Sequence, residues 1–310
     1  MKWLFVGPSL LAGIGQVTKK YAELVGGEYR EFSDPPGADV YDVGFAFVLP
    51  IPQHMDLVDR HLRMCTKKMY MTVCETEPVH VAYGLLVDRY KTLYVPSEFC
   101  QHVFSKQFPH GTWRVLRHTA HGSPLPPPVT KEYTFYTIGN MSDPRKNIRM
   151  LLEAFVRLNM PDTRLVLKAT CRQPFTCSLP RVTVINGLLS DDELEDIHRT
   201  CHCYINCSHS EGVGMGAVEA ALRDRPVILT DYGGLKEYVP GSPFVVRCGL
   251  TRVGQHDFLY DPDMVWGAPS LDDLMRHMRH CAENRIETWD HSLTRGLIGD
   301  VTSELLRSSQ

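Results

Sequence analysis

Short apolar runs alternate with amphipathic segments through the first 120 residues of the chain. Residues 17–25 carry Val17, Tyr21, Leu24 and Val25 on one side of a helical pattern. The apolar runs lie at residues 2–6, 43–49, 69–73, 92–95 and 115–117. Continuous apolar runs are typical of strands covered on both faces, and their alternation with helices predicts a parallel sheet. We therefore expect an α/β domain in this half.

A proline-rich segment then interrupts the pattern. Residues 122–128 contain four prolines in seven positions, which neither a helix nor a central strand tolerates. The segment predicts a linker, with an N-terminal domain at residues 1–125 and a second domain at residues 126–270. Residues 271–310 read as C-terminal helices, which can pack back on the N-terminal domain.

The strand and helix alternation restarts after the linker. A capping box at Ser190 and Glu193 marks one helix start. Predicted strands lie at residues 133–138, 164–168, 182–185, 203–207 and 227–230, and predicted helices at 148–158 and 215–222. Ligands of such folds bind at the carboxyl ends of the strands, so we expect the site in a cleft between two Rossmann-like domains.

Composition narrows the class of protein. The chain has 310 residues, of which 43% are hydrophobic and 22% charged, with a formal net charge of −3. That charge argues against a general, charge-driven nucleic-acid binder. No apolar run approaches the roughly 18 residues needed to span a bilayer, and the N-terminal apolar stretch is too short for a signal peptide. We expect a cytoplasmic protein, with peripheral membrane association left open.

Ten cysteines raise the question of a metal site. Cys201, Cys203 and Cys207 cluster around His202 but lack the paired Cys-x2-Cys spacing of common zinc sites. Cys203 and Cys207 alternate with Ile205 as one face of a buried strand would, so we expect free, structural thiols and no metal.

The richest chemistry lies in residues 208–221. Three glycines within five residues permit close approach of backbone to a ligand before a predicted helix. Glu211 precedes the turn and Glu219 lies on the helix. Carboxylates accept hydrogen bonds from neutral hydroxyls, so the pair suits a sugar and a ribose.

This segment resembles the signature of retaining glycosyltransferases of family GT4, which have the GT-B fold. The matching residues are Glu211-Gly212-Val213-Gly214, Glu219-Ala220, Pro226-Val227-Ile228 and Gly233-Gly234. Residues 138–155 resemble the phosphate-binding turn of the family, with Asn140 where many members have Arg. Looser matches are Ala12-Gly13-Ile14-Gly15-Gln16, Glu75-Thr76-Glu77-Pro78 and His121-Gly122.

The resemblance implies a role for each matched position. Arg145 and Lys146 would hold the diphosphate of a nucleotide sugar, Glu211 the transferred sugar, and Glu219 the ribose. The full donor side comprises Gly139, Lys168, Gly212, Val213, Gly214, Met215, Gly216 and Glu219. The acceptor side comprises Gly13, Gly15, Glu75 and His121.

The expected enzyme transfers a sugar with retention, without a metal or other cofactor, from a UDP- or GDP-sugar. The acceptor stays open among a glycan, a lipid, a protein and a modified nucleic-acid base. Two alternatives also stay open: a GT-B protein that binds a sugar nucleotide without transferring it, and a GT-B sugar-nucleotide epimerase.

Overall fold

The structure is a computed structural model that describes residues 1–10, 12–171 and 173–309. Its contacts divide the chain into two compact units. The first contains Met1–Ala120, Arg252–Val265 and the segment from Gly296 onward. The second contains His121–Thr251 and Trp266–Arg295.

The first unit is built on a six-stranded parallel sheet with the order β2-β1-β3-β4-β5-β6. Its strands are β1 Trp3–Gly7, β2 Glu28–Glu31, β3 Tyr41–Phe47, β4 Cys65–Met71, β5 Thr92–Val95 and β6 Thr112–Val115. Its helices are α1 Gly13–Val25, α2 Pro52–His61, α3 Gly84–Tyr90 and α4 Glu98–Gln107. The interior strand β1 is buried along its whole length, as its apolar sequence predicts.

The second unit repeats this architecture with the order β12-β11-β10-β7-β8-β9. Its strands are β7 Tyr133–Gly139, β8 Thr163–Ala169, β9 Val182–Ile185, β10 Cys203–Asn206, β11 Val227–Thr230 and β12 Val245–Val246. Its helices are α5 Ile148–Leu158, α6 Asp191–Thr200, α7 Met215–Leu222, α8 Leu235–Tyr238 and α9 Leu271–Glu283. Cys203, Ile205 and Cys207 pack in its core, as their alternation predicts.

The remaining elements lie toward the C-terminus. They are the strands β13 Cys248–Arg252 and β14 Val265–Pro269, which pair with each other, and the helices α10 Ser292–Gly299 and α11 Val301–Ser308. Helix α11 belongs to the first unit, where Glu304 forms an ion pair with Arg117 at 2.9 Å. The part of the chain that the structure describes has no helix long and apolar enough to cross a membrane.

Several predicted bounds shift in the structure. The predicted helix at residues 17–25 begins at Gly13, and the predicted strand at residues 69–73 runs from Cys65 to Met71. The predicted strand at residues 115–117 ends at Val115. Apolar side chains mark where a strand is buried, whereas backbone pairing with the neighbouring strand sets its ends.

Candidate functional site

The second sheet reverses its strand order between β7 and β10. From β7 the chain proceeds outward to β8 and β9, and then returns to the other side of β7 to form β10. Such a reversal opens a crevice at the carboxyl ends of the two central strands. The loops that leave β7 and β10 there carry Arg145, Lys146 and Glu211.

Glu211 is buried, with 6% of its surface exposed, and its carboxylate is held on both oxygens. Lys146 Nζ lies 2.5 Å from Oε1, and Arg145 Nη1 lies 2.8 Å from Oε2. Ser208 Oγ donates a further hydrogen bond to Oε1 at 2.8 Å. The structure therefore brings together Arg145, Lys146 and Glu211, the three residues that the resemblance makes catalytic candidates.

The pKa of Glu211 lies well below its ordinary range. Burial alone raises this pKa, but the charges of Lys146 and then Arg145, with hydrogen bonds from Lys146 and Ser208, outweigh it. The carboxylate is therefore charged at neutral pH. An anion fixed between two cations orients both of them at the end of the crevice.

The turn at residues 143–147 sets the direction of the two basic side chains. Asp143 caps it, since its side chain accepts a hydrogen bond from the Arg145 backbone N–H at 2.9 Å. Arg145 also donates to the Ser210 carbonyl at 2.8 Å. Arg145 is thereby tied to both loops.

Lys146 remains available for a ligand. An ammonium group has three N–H donors, and within the described residues only Glu211 accepts from Lys146. Lys146 also lines a small concavity, of about 10 Å³, together with Gly139 and Ser208. The ammonium group therefore keeps donors that a phosphate oxygen can accept from.

At two glycines of the motif, neighbouring atoms leave no room for a side chain. Gly214 has φ of +80° at the start of α7, where a β-carbon would lie 2.7 Å from Leu235 Cδ1. A β-carbon on Gly216 would lie 2.3 Å from the Tyr204 hydroxyl. Gly212 and Val213 are buried, and Met215 is half-buried at the first position of α7.

Glu219 and Lys168 lie on two other elements of the second unit. Glu219 is half-buried on α7, about one turn after the first residue of the helix. Lys168 is buried at the end of β8, and its ammonium donates to the carbonyl of Gly187 at 2.7 Å. Burial lowers the pKa of Lys168. Its predicted contact with the diphosphate stays a prediction.

The residues predicted to bind the acceptor do not all lie in one unit. Gly13, Gly15 and Glu75 lie in the first unit, and His121 is an exposed residue of the second. Both glycines belong to the first turn of α1. A β-carbon on Gly15 would lie 2.4 Å from the Ser9 carbonyl oxygen, so this glycine permits the helix to pack on the loop after β1.

Sequence reasoning missed three supporting residues. Asp143 and Ser208 orient the Glu211 cluster, and Tyr260 donates a hydrogen bond to Glu75 at 3.1 Å. The Asp143-Pro144 dipeptide and the Ser208-x2-Glu211 spacing are local signals for the first two. Tyr260 is 185 residues from Glu75, and no local pattern connects them.

The family comparison agrees with this geometry. Residues 132–253, about two fifths of the chain, match the model of the family described as glycosyl transferases group 1. The match contains the Glu211 cluster and Glu219. A comparison with curated protein sequences found no match.

Solved structures with similar folds cover nearly the whole chain. Sucrose-phosphate synthase from Thermosynechococcus elongatus has 13% identity and a TM-score of 0.62, covering 99% of this chain and 100% of its own. Anabaena HepE in complex with UDP and glucose has 14% identity and a TM-score of 0.61, covering 99% of each chain. A trehalose-6-phosphate structure from E. coli, bound with UDP-2-fluoro glucose, has 9% identity and a TM-score of 0.67, covering 100% of this chain and 99% of its own.

The fold is GT-B, with two Rossmann-like α/β units. The family match and the fold together support a glycosyltransferase.

Proposed function

We propose that the protein is a retaining glycosyltransferase of the GT4 type that uses a nucleoside diphosphate sugar, with UDP- or GDP-sugars as the leading donors. The observation that carries the proposal is the buried Glu211 carboxylate, held by Lys146 and Arg145 at the switch point of the second sheet. UDP-sugars lead because Anabaena HepE was solved in complex with UDP-glucose.

The donor would contact the cluster through its charged and hydroxyl groups. Lys146 and Arg145 would face the diphosphate, Lys as a point charge and Arg through its planar fork. Oε2 of Glu211 accepts only from Arg145 within the described residues, so a second lone pair on this atom can accept a sugar hydroxyl. Glu219 would accept hydrogen bonds from the ribose hydroxyls, and the backbone N–H groups of residues 212–216 would face the sugar and phosphate.

The chemical step exchanges one bond at the anomeric carbon for another. The acceptor oxygen attacks this carbon on the face from which the diphosphate departs. The bond from the carbon to the phosphate oxygen breaks, and its electron pair leaves with the nucleoside diphosphate. The acceptor proton passes to an oxygen of the leaving diphosphate. Lys146 and Arg145 stabilise the negative charge that develops there.

We propose that no metal ion is required. Lys146 and Arg145, which both contact Glu211, would supply the positive charge that a divalent ion otherwise brings to the diphosphate. The acceptor, a hydroxyl on a glycan, lipid, protein or modified nucleic-acid base, would bind the first unit near Gly13, Gly15 and Glu75.

Binding of UDP-glucose and GDP-mannose to variants, measured by calorimetry, tests the donor site. We expect Arg145→Ala and Glu219→Ala each to weaken the binding of the recognised nucleotide sugar at least tenfold, since each removes a charge-assisted hydrogen bond. Glu153→Gln is a matched control, because Glu153 forms only an exposed ion pair with Arg157 on α5. Unchanged affinity in both Ala variants, with native circular dichroism spectra, would refute the assignment.

Retention has its own test. The glucosyl group of UDP-glucose is α-linked, so the anomeric proton of a transfer product should show α coupling by NMR. A β-linked product would exclude the retaining mechanism.

A further inference from the structure

The segment Arg252–Val265, between β13 and β14, belongs to the first unit. It lies against the residues that follow β4. Glu77 and Val265 exchange both backbone hydrogen bonds, each 2.9 Å long, and Thr76 Oγ1 lies 3.5 Å from Met264 Sδ. Leu259 packs against the core of the unit. The segment is therefore fixed at the carboxyl end of the first sheet.

The turn at the tip of this segment presents Tyr260 to Glu75. Asp257 and Tyr260 close the turn with backbone hydrogen bonds of 3.1 and 2.7 Å. The Tyr260 hydroxyl donates to Glu75 Oε2 at 3.1 Å. Oε1 of Glu75 accepts no hydrogen bond from the residues that the structure describes, and the side chain is half-buried. The result is an oriented carboxylate with one oxygen open to a ligand.

The same two stretches of chain carry a second group of polar side chains. His80 Nε2 lies 3.6 Å from one oxygen of Asp261, and His256 Nδ1 lies 3.3 Å from the other. Imidazole nitrogens and carboxylate oxygens both pair with neutral hydroxyls. Together with Glu75 and Tyr260 they provide donors and acceptors along one edge of the unit.

The charge at this edge excludes one class of ligand. The two contacting segments carry five carboxylates, at Glu75, Glu77, Asp257, Asp261 and Asp263. Their cationic partners are already engaged, since Lys106 pairs with Glu77 at 2.7 Å and Arg252 with Asp263 at 3.0 Å. A phosphate or an anionic lipid headgroup would be repelled here, whereas an uncharged hydroxyl-rich molecule would not.

We propose that Glu75 and Tyr260 form an acceptor subsite for an uncharged sugar. Oε1 of Glu75 accepts a hydrogen bond from an acceptor hydroxyl, and Tyr260 is a positioning residue that holds the carboxylate. The inference rests on the proposed glycosyltransferase function and selects a glycan from the four acceptor classes.

A binding comparison on the full chain tests the acceptor class without turnover. With UDP present, the ligands are maltose, lactose and cellobiose as neutral sugars, glucose 6-phosphate as an anionic sugar, and phosphatidylcholine vesicles with and without phosphatidylglycerol. We expect saturable binding, by saturation-transfer NMR, of at least one neutral sugar and weaker binding of glucose 6-phosphate. Binding of none of the neutral sugars, or preference for the phosphorylated sugar or anionic vesicles, would overturn the proposal.

Three variants then test the residues with the neutral sugar that binds. Glu75→Gln replaces a charge-assisted hydrogen bond by a neutral one and should raise the acceptor KM about tenfold. Tyr260→Phe should raise it about threefold, because the carboxylate loses its anchor. Asp263→Asn neutralises an exposed carboxylate of the same segment, which pairs with Arg252 at 3.0 Å, and should leave the acceptor KM unchanged.

The donor KM separates the two possible failures. If the donor KM and the acceptor KM both keep their wild-type values in all three variants, the acceptor subsite alone is overturned. Failure of the wild-type protein to bind any nucleotide sugar would instead overturn the proposed function.

Discussion

At the scale of single residues, the charge balance around Glu211 governs the candidate site. One buried carboxylate accepts from Lys146 and Arg145, while Asp143 pairs with the far side of Arg145 at 3.2 Å. Two cations and two anions thus lie within the two loops that follow β7 and β10. A buried anion of this kind is stable only while its partners remain, so the cluster couples the stability of the fold to the geometry of the donor site.

Replacement of Glu211 by Gln should destabilise the protein in a pH-dependent way. The folded pKa of Glu211 lies below its ordinary value of 4.5, so its stabilisation is fully present above that pH and is lost as the pH falls toward the folded pKa. We expect Glu211→Gln to lower the free energy of unfolding by about 3 kcal/mol at pH 7, because two cations lose their buried partner. The difference from wild type should shrink below pH 4.5.

Urea unfolding at several pH values between neutrality and acid measures this difference. Glu153→Gln is again the control, since its surface ion pair should contribute little at any pH. A Glu211→Gln deficit that stays constant across the acid range would show that the carboxylate is not the titrating group.

The sequence singled out three residues that the structure brings into contact, but not the residues that orient them. Glu211, Arg145 and Lys146 stood out because their types and positions matched both sugar-nucleotide chemistry and a family pattern. Lys168 was a weaker candidate, placed on the donor side because it ends a strand, and its ammonium donates to the Gly187 carbonyl. Which group a lysine at a strand end contacts depends on the neighbouring loop, and a one-dimensional pattern does not carry that information.

At the scale of elements, helix α1 shows why one glycine of a motif matters more than another. Gly13 has open space where a β-carbon would be placed, whereas Gly15 faces the carbonyl oxygens of Ser9 at 2.4 Å and Pro8 at 2.5 Å. The sequence predicted a glycine turn here without distinguishing the two positions. The distinction arises from the path of the loop after β1.

Alanine substitutions at these two glycines provide a matched pair. Gly15→Ala should lower the free energy of unfolding by about 1 to 3 kcal/mol, because backbone must move to admit the methyl group. Gly13→Ala should cause no loss, since alanine favours a helix and meets no neighbour. Thermal unfolding measures both. Equal effects of the two substitutions would show that the helix does not pack on this loop as described.

Several elements were predicted correctly to the residue and others were missed. Helices α5 and α7 and strands β9 and β11 have the predicted bounds. Helices α2 and α4 were not predicted. Ser97 caps α4 by accepting a hydrogen bond from the Cys100 backbone N–H at 3.3 Å. Strong apolar periodicity is visible in the sequence, whereas a short polar helix depends on its cap and its packing.

At the scale of the whole molecule, the first compact unit is discontinuous in sequence. Its main span ends at Ala120, and it also takes in Arg252–Val265 and the C-terminal residues. The sequence suggested that the C-terminal helices can pack back on the first domain, but it gave no sign that residues 252–265 return to it, because composition reveals linkers more readily than returns of the chain. Tyr94 shows such a return: its hydroxyl donates to the Ser308 carbonyl at 3.1 Å.

A thermal-shift comparison with UDP-, GDP-, ADP- and TDP-sugars, with and without EDTA, tests the central claim most directly. A ligand that binds the native state raises the melting temperature by mass action. The account predicts a clear shift with one nucleotide class, most readily a UDP-sugar, unchanged by EDTA because Lys146 and Arg145 hold the diphosphate. No shift with any of the four classes, or a shift that EDTA abolishes, would contradict it.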